Sequence, residues 1–187
     1  MNLPVSPLGF GPGREALFGQ ALAHLQRAQR LPLRVCCAGI ARYADPDLNS
    51  WGFEREVMLG TCGNVFEAMA RAAAGAFQGD IAASPDDALR FTPQFVTILD
   101  AEHRLVLAGE VRSDAICWCA PVASDAEARA VVIEASRLRA KAVAEADRED
   151  LSAAGALRLR ARLLEGRLVD PFWRESAREA LGQAQAA

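Results

Sequence analysis

Three short apolar runs between residues 95 and 120 are separated by polar turns. Phe95 to Leu99 leads into Asp100, Ala101, Glu102, His103 and Arg104; Leu105 to Val111 leads into Arg112, Ser113 and Asp114; Ala115 to Ala120 follows. Runs of this length, rich in β-branched and aromatic residues, predict a three-strand antiparallel meander over 95–120. Upstream, Leu33–Ile40 reads as a buried strand. Phe53–Leu59 alternates, with Phe53, Arg55, Val57 and Leu59 on one side, and predicts an edge strand. Asp45, Pro46, Asp47, Asn49 and Ser50 are turn formers and make 43–52 a loop.

The helical period governs the rest. Leu17, Ala21, Leu25 and Ala28 form a stripe over Arg14–Arg30, closed by Pro32. Asn64 with Glu67 three residues on predicts a capped helix to about Phe77, apolar nearly all round and so buried. Residues 78–90 read as a connector. Ser124 with Glu127 caps a helix over Asp125–Asp147, whose inner face is Ala128, Val131, Val132, Ala135, Leu138, Ala142 and Ala146. Ser152 is the expected cap of the next helix, with Gly166 just past its end. Asp170 before Pro171 opens a last helix carrying Trp173, Ala177 and Leu181.

The helix after Ser152 has two apolar stripes. Leu157, Ala161, Leu164 and Leu168 form one; Leu159 and Leu163 lie nearly opposite, with Arg158, Arg160, Arg162 and Arg167 between them. Such a helix must be covered on both sides. It either sits between two elements of its own chain, the reading favoured here, or offers one stripe to a partner.

These elements predict an α+β fold. An antiparallel sheet of about four or five strands is covered by the 14–30 and 64–77 helices. The expected organisation is an N-terminal Pro/Gly-rich arm at 1–13, a core domain at 14–120 and a helical C-terminal region at 121–187, packed on the core or on a partner. With 187 residues and 51% of them hydrophobic, one core forms without disulfide or metal.

Composition narrows the function classes. The net charge is −3, from 21 basic and 24 acidic residues, which argues against a nucleic-acid-coating surface. Lys141 is the only lysine; with the abundant alanine this bias suggests a GC-rich bacterial genome. Over 121–187 the charges balance and read as solvated faces with i,i+4 pairs. No run approaches the roughly 18 apolar residues of a membrane span. The N-terminus lacks a secretory pattern, so a cytoplasmic protein with five free thiols is expected. No cofactor and no membrane are called for.

Three constellations carry candidate chemistry. Cys62 precedes a helix, where the dipole and free N–H groups stabilise a thiolate. His103 begins a later strand and would serve as its base. The order of elements is similar to papain-like and transglutaminase-like layouts, although no family signature surrounds Cys62; Asp114 is the one conceivable third member. Asp100, Glu110 and Arg112 resemble the PD-(D/E)xK nuclease arrangement. That resemblance implies acids holding Mg²⁺ and a basic residue on the phosphate. Here Pro93-Gln94 stands in place of a Pro-Asp, and Arg112 in place of lysine. Cys36, Cys37, Cys117 and Cys119 lack the knuckle spacing of a zinc site and read as buried thiols. His24 reads as a packed helical histidine, and the Gly60–Gly63 turn as a weak anion seat.

No constellation is complete. The expectation is therefore a non-catalytic interaction or accessory protein. Its C-terminal helices would bind a protein partner or a second copy through Leu159, Leu163 and Trp173. A Cys62–His103 thiol enzyme is the alternative, and a nuclease-like site the lesser one.

Overall fold

A computed structural model describes residues 29–43, 52–77, 89–122 and 124–186, the last six of these by backbone alone. The expected 14–30 helix and His24 lie outside them, apart from Gln29 and Arg30, which are not helical. The described elements run β1 (Leu33–Tyr43), β2 (Gly52–Cys62), α1 (Val65–Phe77), β3 (Leu89–Leu99), β4 (Leu105–Val111) and β5 (Ile116–Cys119). Three helices follow: α2 (Asp125–Asp147), α3 (Leu151–Gly166) and α4 (Pro171–Ala186).

The five strands form one antiparallel sheet in the order β2-β1-β3-β4-β5. The 95–120 meander is its β3-β4-β5 half, and Phe53–Leu59 lies within β2 at the edge. β3 starts six residues earlier than its apolar run. Pro93 and Gln94 conceal that first half. The ladder shifts between Ala38 and Gly39 so that Gln94 is an extra residue, and Pro93 opposes Gly39 where β4 no longer pairs. A bulge beyond the reach of a second neighbour tolerates the missing N–H of proline. A second bulge falls between Val35 and Cys36 of β1, where Gly60 on β2 adopts φ 132, a conformation that disfavours side-chain-bearing residues.

Period-2 alternation splits the sheet into two faces. On one, Leu33, Val35, Cys37, Val96, Ile98, Leu107 and Ile116 pack with Val65, Ala68 and Ala72 of α1. α1 begins as its sequence requires: Asn64 Oδ1 accepts from Glu67 N–H at 2.9 Å. Glu67 reaches back to Gly63 N–H at 3.0 Å, one residue before the expected target.

α3 covers the other face. Leu159 is 1% exposed and packs with Ile40 and Phe95, flanked by Ala38 and Leu163. At Gly155 an added Cβ would lie 3.0 Å from Ile40 Cδ1, so the absence of a side chain there lets the helix lie close to the strand. The opposite stripe meets α2, where Ala161 joins Ala135 and Leu138, with Leu157 and Leu164 beside them. Both stripes of this helix are therefore covered within the chain. α2 in turn carries α4: Ala128 and Val131 pack with Val122, Leu168, Trp173 and Ala177. The order outward is α1, sheet, α3, α2, α4.

The arginines between the stripes do not make i,i+4 pairs along their own helix. Two of them reach across layers to the sheet: Arg162 lies 3.7 Å from Glu54 and 3.8 Å from Glu56 on β2, and Arg160 lies 3.9 Å from Glu110 on β4. Arg139 of α2 grips both carboxylate oxygens of Glu165 on α3 through Nε and Nη2, at 2.8 and 2.6 Å. Arg167 donates to the Ala120 carbonyl and to Glu127. The cap of α3 also differs from expectation. Asp150 accepts from Ala153 N–H at 2.9 Å, while the Ser152 hydroxyl is engaged by Arg42 of β1. Gly166 is the last helical residue rather than the one beyond the end.

Leu159→Ala should cost about 2–5 kcal/mol, because it opens a cavity between sheet and helix. Urea unfolding followed by circular dichroism measures it, and a loss below about 1 kcal/mol would contradict this packing. Leu159→Glu should abolish folding altogether, since it buries an unpaired charge on the sheet.

Candidate functional site

Asp100 is buried, 1% exposed, and it builds the β3–β4 turn. Its Oδ1 accepts from the N–H groups of Glu102 (2.9 Å) and Arg104 (3.0 Å), and its Oδ2 from the Arg104 guanidinium at 2.9 and 2.8 Å. The His103 N–H donates to the Asp100 carbonyl at 2.9 Å, and His103 itself sits at φ 61. This is a turn with a left-handed residue before the return strand, stitched together by the aspartate. Burial by itself would raise the carboxyl pKa. The hydrogen bonds from Arg104 and Glu102, with the Arg104 charge, outweigh it and hold the carboxyl below its ordinary value.

The same geometry separates the acids of the nuclease-like set. Glu110 pairs with Phe95, at the far end of the ribbon that Asp100 closes. Five residues of extended strand span about 17 Å, so one ion cannot touch both carboxylates. Glu110 instead lies 3.2 Å from Arg112 and 3.9 Å from Arg160. Asp100, Glu110 and Arg112 each act within the fold's own charge network.

Cys62 and His103 are held by different surroundings. Cys62 ends β2 and is 3% exposed, inside the α1-side core with Leu33 and Val65. The exposed His103 places Nε2 3.2 Å from Arg34 Nη1. A guanidinium only donates, so in this pairing Nε2 is the acceptor. Asp114 lies in the β4–β5 turn, at the other end of β4 from His103. The Gly60–Gly63 turn holds no open anion seat at Gly63, whose N–H is taken by the Glu67 carboxylate.

The remaining thiols are spread across the sheet. Cys36 and Cys37 point to opposite faces. Cys36 and Cys119 lie in one cross-strand row through Thr97 and Ala108. Three strand spacings, about 14 Å, separate their backbones. Burial pushes the Cys37 thiol up to about 12, helped by Cys36 and Glu56, and burial also raises Cys36 and Cys119. Among the described residues no group of three His, Cys, Asp or Glu could hold a metal ion, and no helix is long and apolar enough to cross a membrane.

Trp173 is differently placed. Of the three candidate partner-binding residues, Leu159 and Leu163 pack on the sheet, whereas Trp173 lines an open cleft of about 420 Å³ between α2 and α4. Val122, Ala128 and Leu168 lie beneath it, with Ser124, Asp125, Val169 and Asp170 around it. The start of α4 sets this geometry. Asp170 accepts from Phe172 N–H at 2.8 Å as the cap, which places Trp173 and Ala177 against α2 and turns Phe172 outward. Trp173 donates its indole N–H to Asp125 Oδ1 at 2.9 Å, and Phe172 stacks on it edge-to-face at 5.1 Å and 77°. Phe172 is 67% exposed and Val169 46%.

Val169 and Phe172 carry no motif along the chain, and Asp125 and Asp170 are legible there only as a helix's first residue and a cap. The available signal was Val169 and Phe172, apolar residues that fall off the Trp173–Ala177 stripe and therefore have no core to enter.

Asp100→Asn should lower stability by about 1–3 kcal/mol at neutral pH, since it loses a charged acceptor. It should also flatten the acid limb. A carboxyl with a lowered folded pKa stabilises fully above its unfolded value near 4, and that stability is lost as pH falls through the folded value. Unfolding between pH 7 and 2 checks this; parallel curves for both proteins would refute it. Cys37 and Cys62 should resist iodoacetamide at pH 8 until the protein is unfolded, read by mass spectrometry of labelled peptides.

No family model matches the chain, and no curated protein or solved structure matches it.

Proposed function

We propose that this protein is a non-catalytic interaction or assembly subunit that binds a protein partner, or a second copy of itself, through its C-terminal helices. The α2–α4 end is the binding surface. The observation that carries the reading is the Val169–Phe172–Trp173 edge. Two apolar side chains stand in solvent beside an aromatic-lined cleft, and aromatic anchors next to pockets are the residues that dominate binding energy at protein interfaces.

The local chemistry fits that role. The backbone of this edge is anchored, because Arg174 donates to the Leu168 carbonyl at 2.6 Å and Asp170 caps α4. A surface held this way loses little further freedom when a partner docks, which favours affinity. The polar groups around the cleft, Ser124, Asp125 and Asp170, give it the mixed rim found around interface cores. The residues that resembled catalytic sets are engaged elsewhere: Asp100 in its turn, Cys62 in the core, His103 on Arg34.

Phe172→Glu should leave the fold intact. The side chain is exposed, and a carboxylate in the first turn of α4 complements the helix dipole. It should weaken self-association or partner binding at least about 10-fold, as expected for loss of an aromatic anchor. Sedimentation across a concentration series, and co-purification of a tagged chain from its native cell, are the measurements. Phe66→Glu, at an exposed position on α1, is the control that should change neither. Association that survives Phe172→Glu unchanged would remove the α2–α4 end as the docking surface.

A further inference from the structure

Two helices start at the α2–α4 cleft, and a helix start by itself attracts an anion. Here the sign is reversed. Ser124 Oγ accepts from Glu127 N–H and Asp170 Oδ1 from Phe172 N–H, so donors at both starts are already engaged. Asp125 and Asp170 then bring two carboxylates to one cleft. Each uses one oxygen within the chain, on the Trp173 indole and on the Phe172 N–H. Neither forms an ion pair with a described residue, whereas Glu127, close by, is paired with Arg167. Other carboxylates on these helices fall into two groups: Glu165, Glu145 and Glu175 are paired with Arg139, Arg148 and Arg178, while Asp147 and Glu179 form no ion pair with a described residue.

The same cleft is lined by apolar side chains and the Trp173 indole. An apolar floor suits the methylene stem of a long cationic side chain, and an indole face attracts its charged head. A planar guanidinium has enough fixed donors to reach two carboxylates at once while stacking on a ring, which an ammonium does not. We infer that the α2–α4 cleft receives an arginine side chain of a partner protein, set between Asp125 and Asp170 over Trp173, with apolar neighbours of that arginine resting on Phe172 and Val169. This rests on the α2–α4 end being a docking surface and adds the chemistry of what docks.

The test uses the full chain and N-acetyl-arginine N-methylamide at constant ionic strength. The readout is the Trp173 indole N–H resonance, identified by its loss in Trp173→Phe. The arginine probe should shift it saturably. N-acetyl-citrulline N-methylamide, nearly the same shape without the charge, should bind at least about 10-fold more weakly, as should arginine to the Asp125→Asn, Asp170→Asn double variant. Asparagine can still cap α4 and accept the indole N–H, so that variant should unfold at nearly the same temperature as the parent. Equal binding of citrulline, no shift with arginine, or undiminished binding by the double variant would each overturn the inference. So would a shift produced by inorganic phosphate, or one that appears on concentrating the protein alone, which would make the occupant a second copy. If Phe172→Glu abolishes association while the arginine probe does nothing, docking stands and the arginine chemistry falls. If the probe binds but no association exists to be lost, docking falls and the cleft chemistry stands.

Discussion

Everything beyond the sheet is held by α3, a helix that is apolar on two sides. Fully burying a leucine such as Leu159 contributes about 1.5–3 kcal/mol, and here the contribution depends on Ala38, Ile40 and Phe95 presenting a flat apolar face. Small residues make the approach possible: Gly155 lies against Ile40 of the sheet, and Ala161 against α2. Without that seat α2 would have no platform, and α4, which rests on α2, would have none either. The cleft beneath Trp173 is thus the outermost consequence of a contact made four layers in.

Charge follows the same hierarchy. Where a side chain is half-buried, its charge is matched by a partner on another element: Arg139 with Glu165, Arg167 with Glu127 and the Ala120 carbonyl. These pairs fix how layers sit on one another, because the fork of a guanidinium accepts few geometries. Asp100 is the extreme case, a charge almost wholly removed from water and kept ionised by its own turn. Several residues whose types suggest catalysis are thereby occupied in holding the fold. Asp125 and Asp170 are exposed and form no ion pair with a described residue; each stands at a helix start with one oxygen in a hydrogen bond within the chain.

Much of the architecture was legible along the chain. α2 begins and ends where its capping serine and apolar period place it, and its buried face is the predicted one at Ala128, Val131, Ala135, Leu138 and Ala142. The β3-β4-β5 half of the sheet was readable because each strand is short and bounded by polar turns. The first half of β3 was not, since Pro93 and Gln94 resemble a break until β1 supplies the bulge that accommodates them. The cap of α3 was misplaced for a similar reason. Ser152 is a good capping residue, but Arg42, distant in sequence, takes its hydroxyl and leaves the cap to Asp150.

By itself the sequence determined the α+β class, the antiparallel meander, the starts of α1, α2 and α4 and the two-stripe character of α3, because these follow from periodicity and local hydrogen bonding within a few residues. Only the tertiary structure decided which element covers which stripe, and which charges meet. It separated Asp100 from Glu110 by the length of a strand, buried Cys62 away from solvent, and brought Asp125, Asp170 and Trp173 together from the starts of two helices. Such encounters depend on how layers stack across long separations in the chain, and no local pattern encodes that distance.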